Sequence, residues 1–104
     1  MDSEVNKPAY YSIIPANVRY SKELSPNAKL LYGEITSLCN KNGYCWASNE
    51  YFANLYGVKK ATISEWISLL VKHGFLLREI IYKEGSQEID KRVLRLVDSF
   101  IKEI

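Results

Sequence analysis

Phe52-Ala53-Asn54-Leu55-Tyr56-Gly57-Val58-Lys59-Lys60-Ala61-Thr62-Ile63-Ser64-Glu65-Trp66 is the stretch on which the fold turns. Its first part closes a short helix that Ser48 is placed to cap, with Glu50 among the first residues, over Asn49 to Tyr56. Gly57 ends that helix as a residue able to take a positive φ. A second helix follows from roughly Lys60 to His73, burying Ile63, Trp66, Ile67, Leu70 and Val71, and Gly74 stops it. Ala53 is small because the later helix crosses the earlier one there, and Val58 plugs the angle between them. Ile63 and Trp66 anchor the second helix to the core. Lys60, Ala61, Ser64, Glu65 and Ser68 are left facing outward at helical spacing.

Upstream, Ser25 is an N-cap candidate and Pro26 sits at a first helical position, where its missing N–H costs nothing. Ala28, Leu31, Ile35 and Leu38 recur at helical spacing, Leu30 and Tyr32 broaden the stripe, and Asn40-Lys41-Asn42-Gly43 breaks the pattern. Tyr44 to Ala47 suits a brief strand. Met1 to Lys7 reads as frayed, Ala9 to Ile14 as a short edge strand stopped by Pro15, and Pro15 to Leu24 as a connector. Downstream, Phe75 to Lys83 and Lys91 to Val97 predict two strands joined by the polar loop Glu84 to Glu88, and Asp98 to Ile104 the start of a helix. Three helices followed by a small antiparallel β-hairpin make an α+β winged helix-turn-helix, with the recognition helix from about Lys59 to His73.

At 104 residues the chain fits one domain, residues 1–104, of ordinary soluble composition (47% hydrophobic, 25% charged). Cys39 and Cys45 read as small core residues: the single histidine, His73, is distant, and a zinc site wants more ligands at tighter spacing. His73 is expected to complement the dipole at its helix's C-terminus. No apolar run approaches the ~20 residues of a membrane span, so a cytoplasmic protein is expected. No nucleophile–base pair, metal cluster or phosphate-cradling glycine loop is present, so neither an enzyme nor a cofactor is expected. The eight tyrosines and two tryptophans are read as core and boundary packing rather than as a platform for single-stranded nucleic acid.

The net charge is only +2, but its distribution points to a partner. Gly57 to Gly74 carries Lys59, Lys60 and Lys72 against Glu65 alone. Double-stranded DNA demands phosphate contacts for affinity and base-edge contacts for specificity. Lys59 and Lys60 stand where the helix N-terminus itself favours phosphate. Thr62 and Ser64 are donors for phosphates or bases, and Glu65 either accepts from cytosine N4 or repels phosphate. Lys83, Lys91 and Arg92 would carry the wing's contacts to the adjacent backbone or minor groove, with a solvated hairpin face as the alternative.

Tyr10-Tyr11-Ser12-Ile13-Ile14-Pro15-Ala16, with Val18-Arg19-Tyr20, and then Leu24-Ser25-Pro26-Asn27-Ala28-Lys29-Leu30-Leu31-Tyr32-Gly33-Glu34-Ile35, resemble the start of phage and plasmid replication initiators. These are also called replisome organisers of Gram-positive bacteria. Gly43 to Ala47 and Tyr51-Phe52-Ala53 continue the likeness, which runs from about Tyr10 to Leu77. The resemblance implies a winged helix that binds repeats at a replication origin. It also implies a longer protein whose C-terminal region, absent here, recruits helicase-loading machinery. By position it makes Lys60, Ala61, Thr62, Ser64, Glu65 and Ser68 the recognition-helix residues; Glu65 departs from it, since arginine is common there. Self-association as a dimer is compatible with this reading. Two alternatives share the fold: a transcriptional repressor, and a module for self-assembly or protein docking.

Overall fold

In the computed structural model, which describes residues 11–39 and 43–97, four helices pack with a three-stranded antiparallel sheet whose first strand falls between the second and third helices. The helices are α1 (Ala16–Arg19), α2 (Pro26–Leu38), α3 (Asn49–Tyr56) and α4 (Lys60–Lys72). The strands are β1 (Tyr44–Cys45), β2 (Leu76–Tyr82) and β3 (Ile89–Leu96), in the order β1-β3-β2. This is the α+β winged helix-turn-helix expected, with one helix and one paired strand more than the minimal description. The expected fraying of Met1 to Lys7, the expected start of an edge strand at Ala9 and Tyr10, the expected break over Asn40 to Asn42 and the expected helix from Asp98 all fall outside the described residues.

Local chemistry fixes the helix ends. Ser25 Oγ accepts the Ala28 N–H at 3.2 Å and Ser48 Oγ accepts the Tyr51 N–H at 3.0 Å, each satisfying an otherwise orphaned amide. Gly57 and Gly74 adopt φ of +68° and +82° after α3 and α4. Beyond Gly74, the Phe75 N–H reaches back to Leu70 C=O at 2.9 Å and turns the chain into β2.

Val18, Ala28, Leu31, Tyr32 and Ile35 bury one side of the core, and Phe52, Ala53, Ile63, Ile67 and Leu70 the other. Leu76, Leu94 and Cys45 cover it from the sheet. Cys45 is buried and Cys39 half-buried, both as free thiols. Trp66, expected in the core, is half-buried and meets Tyr56 edge to face with ring centroids 6.4 Å apart. The aromatic residues divide: Tyr32 is core and Tyr51 and Tyr56 are boundary, whereas Tyr11, Tyr20, Tyr82 and Trp46 are exposed.

Two expectations fail. Tyr11 to Ile14 forms no strand; it crosses α2 without regular secondary structure, and Thr36 Oγ1 accepts the Ile13 N–H at 3.1 Å. Gly33 makes that crossing possible, because a Cβ there would meet Ile14 Cγ1 at 2.9 Å and Ser12 Oγ at 3.0 Å. Strand formers in the segment therefore serve a helix-packing contact rather than a sheet edge. The connector, secondly, contains α1, a single turn whose Val18 is buried beneath it. Its Arg19 donates to Ile14 C=O at 2.7 Å, and Lys29 donates to Arg19 C=O at 2.8 Å, which ties the turn to both of its neighbours.

Candidate nucleic-acid interface

α3, the turn at Gly57 and α4 form the two-helix unit. The Val58 N–H donates to Ala53 C=O at 3.0 Å, and Val58 packs against the core from the turn. Its position fixes where α4 begins. α4 buries Ile63, Ile67 and Leu70 and leaves Lys59, Lys60, Ala61, Ser64, Glu65 and Ser68 exposed, with Thr62 half-buried. All the recognition-helix candidates except Thr62 thus lie open along one face of the helix.

The start of α4 lacks the side-chain cap that α2 and α3 have. Lys59 is its N-cap, no side chain accepts from the first turn, and no acidic residue lies there. The Thr62 and Ile63 N–H groups both turn to Lys59 C=O, at 3.0 and 3.2 Å. A helix N-terminus flanked by two lysines and lacking a side-chain cap suits an anionic oxygen supplied from outside.

The three wing cations fare differently. Lys83 sits at the wing tip, 3.5 Å from Glu88, with both side chains more than half exposed. Lys91 lies over the Trp46 ring at 4.8 Å from its centroid, an exposed aromatic–cation pair. Arg92 is turned inward: Nη1 donates to Asn49 Oδ1 at 2.7 Å and Nη2 to Ala47 C=O at 2.6 Å. Burial lowers its pKa; nearby Cys45 opposes that, and the like charge of Arg78 adds to it. Arg92 therefore acts as a strut between β3 and the start of α3: the protein itself takes up both terminal nitrogens, while the buried Nε has no hydrogen-bond partner among the described residues. Trp46, Ser48, Asn49, Asp90, Lys91 and Arg92 line a shallow cleft of about 370 Å³ between the wing and α3.

Sequence reasoning passed over Arg78 and Arg95. Arg78 is exposed on β2, opposite Leu94. Arg95 lies between Tyr44, whose ring centroid it covers at 4.7 Å, and Glu79, to which it donates at 3.0 Å. Strand alternation is the signal that separates these residues, and it is readable only once the register of β3 against both neighbours is known.

Among the described residues no helix is long and apolar enough to cross a membrane, and no group of three metal-binding side chains converges. No curated protein and no solved structure matches the chain. The profile of a helix-turn-helix domain matches residues 22–76, from before the Ser25 cap to the first residue of β2. That span is more than half of the 104 residues, and the chain belongs to this family of helix-turn-helix DNA-binding domains.

Proposed function

We propose that the domain binds double-stranded DNA sequence-specifically at origin repeats, as the DNA-binding part of a replication initiator, and that it is a binding module rather than an enzyme. The observation that carries the DNA-reading half is the exposed face of α4. Lys60, Ala61, Ser64, Glu65 and Ser68 lie open to solvent while Ile63, Ile67 and Leu70 hold the helix from behind. Small and polar side chains on such a face let the helix enter a major groove, and Lys59 and Lys60 at its uncapped start favour the flanking phosphates. Lys91 and Lys83 extend positive charge along the wing. The origin role rests on the likeness of Tyr10 to Leu77 to replication initiators.

The test is selection of bound sequences from a random duplex library, followed by salt titration. The expected result is one motif that recurs as closely spaced copies in the replicon carrying the gene. A motif present once, ahead of a coding sequence, would replace the initiator reading with the repressor reading. No enrichment together with salt-independent binding would favour protein docking. In the same assay Lys59→Ala with Lys60→Ala should lower the salt slope by about one unit for each phosphate that is no longer neutralised. An unchanged slope would place the DNA elsewhere than at the start of α4.

A further inference from the structure

β2 is an outer strand of the sheet, seven residues long, with nothing hydrogen-bonded to its free side among the described residues. Such an edge offers a row of N–H and C=O groups to any strand that comes alongside. Lysine, proline or a bulge commonly blunts an edge, and Leu76–Tyr82 contains neither residue. The irregularity near the wing tip falls on β3, since Ile81 pairs with Lys91 and Tyr82 with Ile89, leaving Asp90 unmatched. β2 itself carries no unmatched residue there.

The register identifies the open groups. Phe75 C=O accepts from Val97 N–H at 3.3 Å, and Lys83 N–H donates to Glu88 C=O at 2.8 Å. The odd-numbered residues of β2 therefore face β3, and Leu76, Arg78, Ile80 and Tyr82 direct their backbone groups outward. The opposite side of β3 agrees, because Leu96 N–H donates to Gly43 C=O at 3.2 Å, towards β1. Leu77, Ile80, Ile81 and Tyr82 are 39–55% exposed, a concentration of apolar surface along the same strand.

We infer that this edge pairs antiparallel with the same edge of a second copy of the chain, centred on Ile81. Two-fold symmetry requires one residue to stand opposite its own counterpart. Centring on Arg78 or Glu79 would set like charges face to face, which is destabilising. Centring on Ile80 would set Leu77 against the partner's Lys83 and Glu79 against the partner's Ile81. Centring on Ile81 sets it against the partner's Ile81, and Ile80 against the partner's Tyr82 with their outward backbone groups in bonding position. Glu79 then faces the partner's Lys83, and Arg78 the partner's Glu84 just beyond the strand. Each of these unlike pairs forms twice. Lys83 is available for it, because its own contact with Glu88 is long and exposed, and Glu79, whose Oε1 already accepts from Arg95, meets it through the second carboxylate oxygen.

Sedimentation equilibrium of the chain without DNA tests the pairing, so its outcome is separate from that of the DNA-binding reading. The wild type should be a concentration-dependent dimer. Lys83→Glu should weaken it by about tenfold, and adding Glu79→Lys should recover part of that loss, because the inter-chain pairs re-form with their signs reversed while the contact of residue 79 with Arg95 is given up. Ile81→Lys, at an exposed position, should give a folded monomer by circular dichroism. A wild type that stays monomeric throughout, or a dimer indifferent to Lys83→Glu and Ile81→Lys, would overturn the inference.

Discussion

Arg92 of β3 and Asn49 at the start of α3 are joined by a 2.7 Å hydrogen bond across 43 residues of sequence. The second branch of the guanidinium holds Ala47 C=O at 2.6 Å. The wing is therefore fastened to the first helix of the helix-turn-helix rather than left to swing from α4. A fork with two acceptors at fixed spacing suits arginine and not lysine, whose ammonium is a single point.

Removing the strut should loosen the wing without removing a phosphate contact. Arg92→Ala is expected to cost about 1–3 kcal/mol by chemical denaturation, as hydrogen bonds from a charged group disappear and their acceptors stay behind. Amide exchange should accelerate in β2 and β3, and Arg92→Lys should recover only part of the stability. The salt slope of DNA binding should stay as in the wild type. A slope reduced by about one unit would return Arg92 to the DNA-contacting set.

Gly57 tests the turn. Its φ of +68° is left-handed, and an added Cβ would find nothing within 4 Å, so any cost of substitution is conformational. Gly57→Val should destabilise the domain by about 1–3 kcal/mol, and Gly57→Asn by less, since asparagine tolerates this region. Equal thermal midpoints for glycine and valine would show that the turn does not need this backbone angle.

Glu65 divides the readings of α4. It is exposed on the helix face that carries Ala61 and Ser68. Close to phosphate it repels, and Glu65→Arg should tighten binding to matched and scrambled duplexes alike. Close to a cytosine amino group, Glu65→Ala should instead lose about 1–3 kcal/mol at a single base position. We expect the first outcome, because the resemblance to replication initiators implies a basic residue here. Titration of the three proteins against both duplexes at two salt concentrations decides it, and weaker or unchanged binding by the arginine variant on both would refute the expectation.

Alkali should destabilise the domain through its buried thiol and hydroxyl groups. Burial pushes the Cys39 thiol from 9.0 up to about 12, with Cys45 adding to the effect, and the Tyr32 hydroxyl from 10.0 up to about 12, with Cys39 adding. Both groups are neutral when protonated, and the unfolded chain gives up these protons more readily than the folded one. Their stabilising contribution is therefore complete below about pH 9 and is lost as pH climbs towards 12. Denaturation midpoints should hold from neutrality to pH 9 and fall steadily above it. For the same reason neither thiol should react quickly with alkylating reagents at neutral pH, and neither reductant nor chelator should shift the melting curve. A midpoint that stays flat through pH 11 would contradict the burial of these groups.

Much of the fold was legible because it is decided within a few residues of sequence. Ser25 with Pro26, Ser48 with Tyr51, and Gly57 and Gly74 fix helix ends through bonds that span at most one or two turns. The apolar period of Ile63, Ile67 and Leu70 likewise determines which face of α4 is left exposed. Tertiary structure decided what depends on distant partners. Tyr11 to Ile14 carries strand chemistry, yet contacts with Gly33 and Thr36 take it onto a helix. Arg92 and Lys91 are adjacent in sequence, yet alternation on a strand with neighbours on both sides sends one inward to Asn49 and the other onto Trp46. A helix makes its backbone bonds with itself, so local sequence suffices to place it. A strand makes them with whatever the rest of the fold brings alongside, and only that neighbour settles where its side chains go.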